Sequence, residues 1–232
     1  MKAMILAAGR GERMRPLTDA TPKPLLRVAG RPLIEHHLIR LAAAGVREVV
    51  INVSHLGEQI VDYLADGSRW NLAIHWSREP EPLETAGGIV RALPLLGDGP
   101  FIVVNGDVWT DYPFSRLFDL RLGERLAHLV LVTSPPQHPE GDFLLGAGGR
   151  LTARPAHQSG LTYAGVGLFD PGLVAQQRPG VMRLRPLLDR AIGEGLVSGE
   201  HYNGDWEDVG TPQRLRQLDE RARQATGSVH RP

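Results

Sequence analysis

The chain has no cysteine among its 232 residues, which excludes a disulfide framework, a thiolate zinc site and a cysteine nucleophile. Lysine is nearly missing as well: of 26 basic side chains only Lys2 and Lys23 are lysine, and arginine supplies the rest. A GC-rich genome is the favoured explanation of that bias, and against it Lys23 stands out as a candidate for a position that needs a compact point charge. Net charge is also lacking, because 26 acidic side chains balance the 26 basic ones. Without a basic excess or a basic run, no nucleic-acid partner is expected. No apolar stretch approaches the roughly 18 residues of a membrane span, and Met1–Ala8 is too short an apolar start for a secretory signal. The expectation is a soluble, cytoplasmic protein. Neither repeats nor low-complexity blocks occur, and the length is enough to bury a core without metal or disulfide staples. One domain over residues 1–224 is expected, with 225–232 as a polar, frayed tail.

What is present is an alternation of short apolar runs and helical periodicities. Lys2–Ala7, Glu48–Val53, Leu72–Trp76 and Phe101–Asn105 read as strands. Pro32–Ala44, Glu58–Leu64 and Thr85–Leu93 read as helices, the first with Leu33, Ile34, His37, Leu38 and Leu41 at helical spacing and Gly45 as its stop. Strands separated by helices predict parallel pairing and a doubly wound α/β sheet. The second half is less regular: a strand at Ala127–Thr133, a hairpin over Phe143–Ala153 and a glycine-interrupted strand at Leu161–Phe169. Two more helices follow at Leu184–Glu194 and Thr211–Arg223, the latter with Thr211 as cap and Pro212 in its first turn. This half is expected to supply a lid or a pocket wall.

Four segments carry chemistry. The strand ending at Leu6 runs into Ala7-Ala8-Gly9-Arg10-Gly11-Glu12-Arg13, where glycine lets backbone N–H groups approach a phosphate and Arg13 and Arg15 offer forked donors to a triphosphate. No Gly-Lys-Ser/Thr follows, so this is not a Walker A loop, and the spacing is not that of the dinucleotide fingerprint. Thr21-Pro22-Lys23-Pro24-Leu25 presents Lys23 from a segment that its two prolines hold stiff and extended. Val104-Asn105-Gly106-Asp107 ends an apolar strand, the edge at which open α/β sheets bind ligands. A carboxylate there suits Mg²⁺, which takes one or two protein carboxylates plus phosphate and water oxygens; Asp111 competes for the role. Finally, Trp206-Glu207-Asp208-Val209-Gly210-Thr211 can supply a second carboxylate through Asp205, Glu207 or Asp208, or simply cap the last helix. The His36-His37 pair is poorly placed to share an ion, because neighbours on a helix do not face one another.

Taken together, these segments resemble the sugar-1-phosphate nucleotidylyltransferase family over nearly the whole chain. Leu6–Thr18 is similar to that family's nucleotide signature, with Arg13 at its pyrophosphate-binding arginine and Glu12 where many relatives carry Thr or Ser. Thr21–Leu25 is similar to its Pro-Lys-Pro segment, Gly106-Asp107 to its magnesium aspartate, and Asp208 in Trp-x-Asp-x-Gly-Thr to the second. Pro82–Gly88, Val104–Tyr112 and Ser198–Tyr202 resemble the N-acetylmuramate α-1-phosphate uridylyltransferase branch, which acts in bacterial cell-wall recycling. The resemblance implies a Rossmann-like, doubly wound, mostly parallel mixed sheet of the glycosyltransferase-A type. It also implies transfer of a uridylyl group from UTP to N-acetylmuramate α-1-phosphate, with pyrophosphate released and Mg²⁺ as cofactor.

In that reading Arg13, Lys23 and Asp107 are catalytic, and Asp107 and Asp208 hold the metal. The nucleotide lies against Ala8, Gly9, Gly11, Glu12, Arg13, Lys23, Leu83, Gly88 and Asn105, and the sugar against Asp142, Tyr163 and Gly165. The sugar phosphate is an ionised nucleophile already, so no general base is required. Two alternatives stand beside it. One is the same chemistry on glucose, mannose or N-acetylglucosamine 1-phosphate with UTP, dTTP or GTP, or on phosphocholine with CTP. The other is a non-catalytic nucleotide-sugar-binding regulatory domain.

Overall fold

A computed structural model describes residues 1–228, with side chains described through residue 225. In chain order its elements are β1 (Ala3–Leu6), β2 (Arg27–Val28), β3 (Arg31–Pro32), α1 (Leu33–Ala43), β4 (Glu48–Val53), α2 (Gly57–Leu64), β5 (Ala73–Arg78), α3 (Glu84–Leu96), β6 (Phe101–Asn105) and β7 (Val108–Thr110). They continue with α4 (Ser115–Asp119), β8 (Ala127–Thr133), β9 (Phe143–Leu145), β10 (Leu151–Ala153), β11 (Leu161–Phe169), α5 (Arg185–Gly193), β12 (Val197–His201), β13 (Trp206–Asp208) and α6 (Pro212–Ser228).

The central sheet has nine strands. Its first-half members lie in the spatial order β5-β4-β1-β6, all parallel. Residues alternate between the faces with period two. Ala3, Ile5, Val49, Ile51, Ile102 and Val104 enter one buried cluster with Ile34, Leu38 and Leu41 of α1. Met4, Val50, Phe101 and Val103 enter the other with Ile89 and Ala92 of α3 and Leu187 and Leu188 of α5. These strands therefore read as apolar runs rather than alternations, since both faces are covered. The winding reverses at β1, where β4 lies to one side and β6 to the other. That reversal opens a crevice at the carboxyl ends of the strands.

In the second half β11 runs antiparallel to both β6 and β8, and β12 runs parallel to β8. It follows that β8 and β12 point the same way as β6, so their carboxyl ends share the crevice edge. β9 and β10 form the expected hairpin. Several observed bounds differ from those expected. α3 runs on to Leu96 with Pro94 inside it, and α6 continues through Ser228, beyond the boundary expected at 224. Residues 229–232 of the expected tail lie outside the described residues. Lys23 does not sit in an extended segment. Pro22 is extended (φ −63°, ψ 140°), but Lys23–Leu25 closes a single 3₁₀ turn, a first-turn position where Pro24's missing N–H costs nothing. Among the described residues no helix is long and apolar enough to cross a membrane.

α1 is tied to β7 by His37, whose side chain is wholly buried and bonds the Val108 carbonyl through Nε2 at 2.9 Å. Because the partner is a carbonyl, Nε2 is the donor, which leaves Nδ1 as a buried lone pair without a partner. Burial is the main cause that lowers the His37 pKa to about 4. Its unfolded value is about 6.5, so between pH 6.5 and 4 the unfolded chain binds more protons and stability falls with pH. Integrated over that window the loss reaches about 3 kcal/mol. His37→Gln, which keeps a donor toward Val108 but does not titrate, is expected to lose less stability than the wild type between pH 7 and pH 4.5 in urea denaturation. Equal losses would mean that His37 is not held neutral.

Candidate active site at the carboxyl edge of the sheet

Three strand ends and one helix start are joined by a single amide. Asn52, at the end of β4, accepts the Ala7 N–H at 2.8 Å through Oδ1 and donates through Nδ2 to Glu79 Oε1 at 2.7 Å. Glu79, just past β5, accepts the Leu83 N–H at 3.0 Å through Oε2. Asn52 and Glu79 are both buried, and the pairing satisfies groups that would otherwise be costly there. Gly88 packs onto this network. A Cβ at 88 would lie 2.8 Å from Asn52 Nδ2 and 2.9 Å from Glu79 Oε1, so its glycine provides room for the Asn52–Glu79 pair. Neither Asn52 nor Glu79 was anticipated. The available signal was a lone amide near the end of the β-branched run Glu48–Val53 and a carboxylate just past the next strand.

These ends border a cavity of about 660 Å³ lined by Leu6–Met14, Lys23, Leu83, Asn105, Gly106 and Asp107, among others. Gly11 is left-handed (φ 64°), and its carbonyl accepts Met14 N–H and the Thr18 hydroxyl, so the loop is wound tightly and anchored by buried Met14. Arg13 is exposed and lines the cavity. Among the described residues it makes no salt bridge, so its forked donors are available to an anion. Ala8, Gly9 and Glu12 also line the cavity. Segment 180–182 is tied to the start of α3 and adds Val181 to the lining. Met182 N–H bonds Leu83 O, Met182 O accepts Ala86 and Gly87 N–H, and exposed Val181 faces the cavity.

Lys23 Nζ lies 2.7 Å from Asp107 Oδ2, with the lysine side chain 8% exposed and the aspartate 40%. Asp107 sits in the turn between β6 and β7, where Gly106 leaves room for the Leu6 carbonyl, 2.7 Å from an ideal Cβ. β7 pairs antiparallel with β13, and Val209 N–H bonds the Asp107 carbonyl at 3.1 Å, which brings Asp208 to the neighbouring strand. Asp208 is not itself a lining residue. Its Oδ2 lies 3.2 Å from an ideal Cβ on Gly210, which is one.

Every candidate for the second carboxylate has a partner: Asp208 pairs with Arg214 at 2.9 Å, and the others have partners of their own. Glu207 points to the opposite face of β13, pairs with Arg221, and has its pKa raised chiefly by burial. Asp205 also pairs with Arg221, and Asp111 accepts the Tyr202 hydroxyl at 2.6 Å. Among the described residues no group of three or more His, Cys, Asp or Glu could hold a metal ion. Two carboxylates at the edge of a cavity to which Arg10, Arg13 and Lys23 contribute nevertheless match the donor set of Mg²⁺, which draws its remaining oxygens from phosphate and water.

The residues expected at the sugar are placed differently. Asp142 accepts Tyr163 N–H at 2.9 Å and pairs with Arg185 and His138. The Tyr163 hydroxyl is buried without a partner, and burial pushes its pKa well up. Gly165 is left-handed (φ 71°) and leaves space for Asn105, whose Nδ2 lies 2.7 Å from an ideal Cβ. None of the three lines the large cavity or a second one of about 450 Å³ at the ends of β8 and β12, bordered by Thr133, Gln137, Tyr202, Trp206 and Arg214.

The family model for nucleotidyl transferases matches residues 2–225. The chain belongs to the nucleotidyl transferase family. It is 52% identical over 222 residues to an N-acetylmuramate alpha-1-phosphate uridylyltransferase of Neisseria meningitidis serogroup B, covering 94% of this chain and 96% of that one. An enzyme of the same description from Caulobacter vibrioides is 36% identical over 223 residues, with 91% and 92% covered. A mannose-1-phosphate guanyltransferase of Hypocrea jecorina is 32% identical over 235 residues, but only 62% of its length is matched. In architecture the nucleotidyl transferase fold superposes with a TM-score of 0.84 on a Bacillus anthracis chain assigned as a glucose-1-phosphate thymidylyltransferase and solved with sucrose. That match covers 96% of this chain and 95% of the other at 21% identity, and it confirms the mixed, mostly parallel sheet.

In this nucleotidyl transferase the Asn52 bridge sets the shape of the pocket floor. Asn52→Leu strands the Ala7 N–H and one Glu79 oxygen. It is expected to lower stability by about 1–3 kcal/mol for each buried group left unpaired and to weaken nucleoside triphosphate binding by calorimetry. Unchanged nucleotide affinity in the folded variant would show that the floor does not depend on the bridge.

Proposed function

We propose that the chain transfers a uridylyl group from UTP to N-acetylmuramate α-1-phosphate, releasing pyrophosphate, within cell-wall recycling in the cytoplasm. The observation that carries this reading is the 52% identity, spread over almost the full length of both chains, to the uridylyltransferase of Neisseria meningitidis. The geometry supports the chemistry, since a glycine loop, an unpaired arginine, one buried lysine and two carboxylates converge on one edge of the sheet. The same reading treats residues 1–224 as one catalytic unit.

The sugar phosphate is negatively charged at neutral pH, so the problem is to bring two anions together rather than to remove a proton. Positioning and charge stabilisation do that work. Asp107 and Asp208 would hold Mg²⁺, which supplies Lewis-acid stabilisation of phosphate charge when bound. The loop at Ala8–Gly11 offers backbone N–H groups to the triphosphate, and Arg13 takes the charge that grows on the leaving pyrophosphate. Lys23 lies at the junction, where its ammonium offsets repulsion between the reacting phosphates. Leu83 and Asn105 line the same cavity and are assigned to the nucleotide. Gly88 acts through Asn52 and Glu79. On the acceptor side Asp142, Tyr163 and Gly165 are assigned to support of the sugar pocket, with Asp142 holding the β11 backbone in place.

Pyrophosphate release from purified protein with Mg²⁺ tests the reading. The four common nucleoside triphosphates are crossed with N-acetylmuramate, N-acetylglucosamine, glucose and mannose 1-phosphates. Turnover with UTP and N-acetylmuramate α-1-phosphate, at least about 100-fold above any other pair, is the expected result. That margin lies within the roughly 10⁴- to 10⁵-fold discrimination that a hydrogen-bonding pocket can reach. A different best pair would retain the chemistry and discard the assigned substrates. Nucleotide binding without release from any pair would favour a regulatory module.

A further inference from the structure

Each of the two carboxylates is held through one oxygen only. Lys23 Nζ bonds Asp107 Oδ2 at 2.7 Å and Arg214 Nη1 bonds Asp208 Oδ2 at 2.9 Å. Among the described residues no hydrogen bond reaches Oδ1 of either aspartate. Both cations are fixed rather than free: the Lys23 side chain is 8% exposed and that of Arg214 15%. Arg214 stands in the first turn of α6, where its N–H bonds the Thr211 hydroxyl at 3.3 Å. α6 is anchored in turn by Asp219, which accepts Ala29 N–H at 2.7 Å. The guanidinium occupies the space in which a side chain at 210 would begin. This explains the glycine two residues after Asp208: it lets Arg214 reach the carboxylate across the strand end.

We propose that Arg214, together with Lys23, leaves each of the two aspartates a single free oxygen, and that Arg214 thereby sets the site's preference for Mg²⁺ over Ca²⁺. The proposal rests on the assignment of Asp107 and Asp208 to the metal. Ca²⁺ accepts six to eight oxygens and commonly takes both oxygens of one carboxylate, whereas Mg²⁺ requires a compact octahedron and keeps several waters. A carboxylate with one oxygen committed to a guanidinium offers a single remaining donor. That suits the octahedral ion and denies the larger ion its bidentate contact. Arg214 is thus a positioning residue acting through Asp208.

The test measures binding of a non-hydrolysable UTP analogue by calorimetry in saturating Mg²⁺ and in saturating Ca²⁺, and takes the ratio Kd(Ca²⁺)/Kd(Mg²⁺). The analogue carries either ion in solution, so the ratio reports what the protein adds. For Arg214→Met the ratio is expected to fall at least about five-fold, through tighter binding with Ca²⁺ relative to Mg²⁺. Arg214→Lys, which retains one charged donor, is expected to fall between that variant and the wild type, and it carries the test should the methionine variant not fold. An unchanged ratio in a folded Arg214 variant overturns the proposal. So does equal weakening with both ions, which would make Arg214 a direct phosphate contact. Asp208→Asn separates the two levels. It is expected to weaken binding with either metal, and wild-type affinity in that variant would overturn the metal assignment itself.

Discussion

The contact between Lys23 Nζ and Asp107 Oδ2, 2.7 Å long with the lysine almost wholly buried, is the constraint on which the rest of the site depends. A lysine stem can lie buried only where its ammonium finds a partner. Asp107 is two-fifths exposed, so much of the attraction is screened and the pair adds only modestly to stability. Its larger effect is on placement. It draws the 3₁₀ turn at Lys23–Leu25 against the β6–β7 turn, and so joins the loop after β1 to the strand that pairs with β13. Asp107, the glycine loop after β1 and Asp208 thereby come to one edge.

The same edge borders both cavities. β1, β4, β5 and β6 end at the larger cavity, while β8 and β12 end at the smaller one, and all six strands point the same way. The Asp208–Arg214 pair lies between them, since Gly210 borders the first cavity and Arg214 the second.

Much of this was legible in the sequence. Glu48–Val53, Phe101–Asn105, Ala127–Thr133 and Leu161–Phe169 were read with the bounds the structure shows. Long β-branched and apolar runs between turn residues leave little ambiguity. The glycine loop, Lys23 and Asp107 were legible because each breaks a local habit, and they do line one cavity. Less was legible where long-range contacts decide. Spacing could not separate Asp205, Glu207 and Asp208, and the pairing that distinguishes their surroundings is long-range: Arg214 reaches Asp208, whereas Arg221 of the same helix reaches Asp205 and Glu207. The role of Gly88 as room for Asn52 and Glu79 is a packing fact that no single segment encodes. The 3₁₀ turn at Lys23 shows tertiary pairing overriding the extended preference of a residue before proline.

The central claim is that Asp107 acts on the chemistry and does not merely hold Lys23. Single-turnover rates of Asp107→Asn, with circular dichroism as the check on folding, test it most directly. The account expects a folded protein whose uridylyl transfer is slower by about 100- to 1,000-fold, as when a single transition-state charge stabiliser is removed. A folded variant that turns over at the wild-type rate would contradict it.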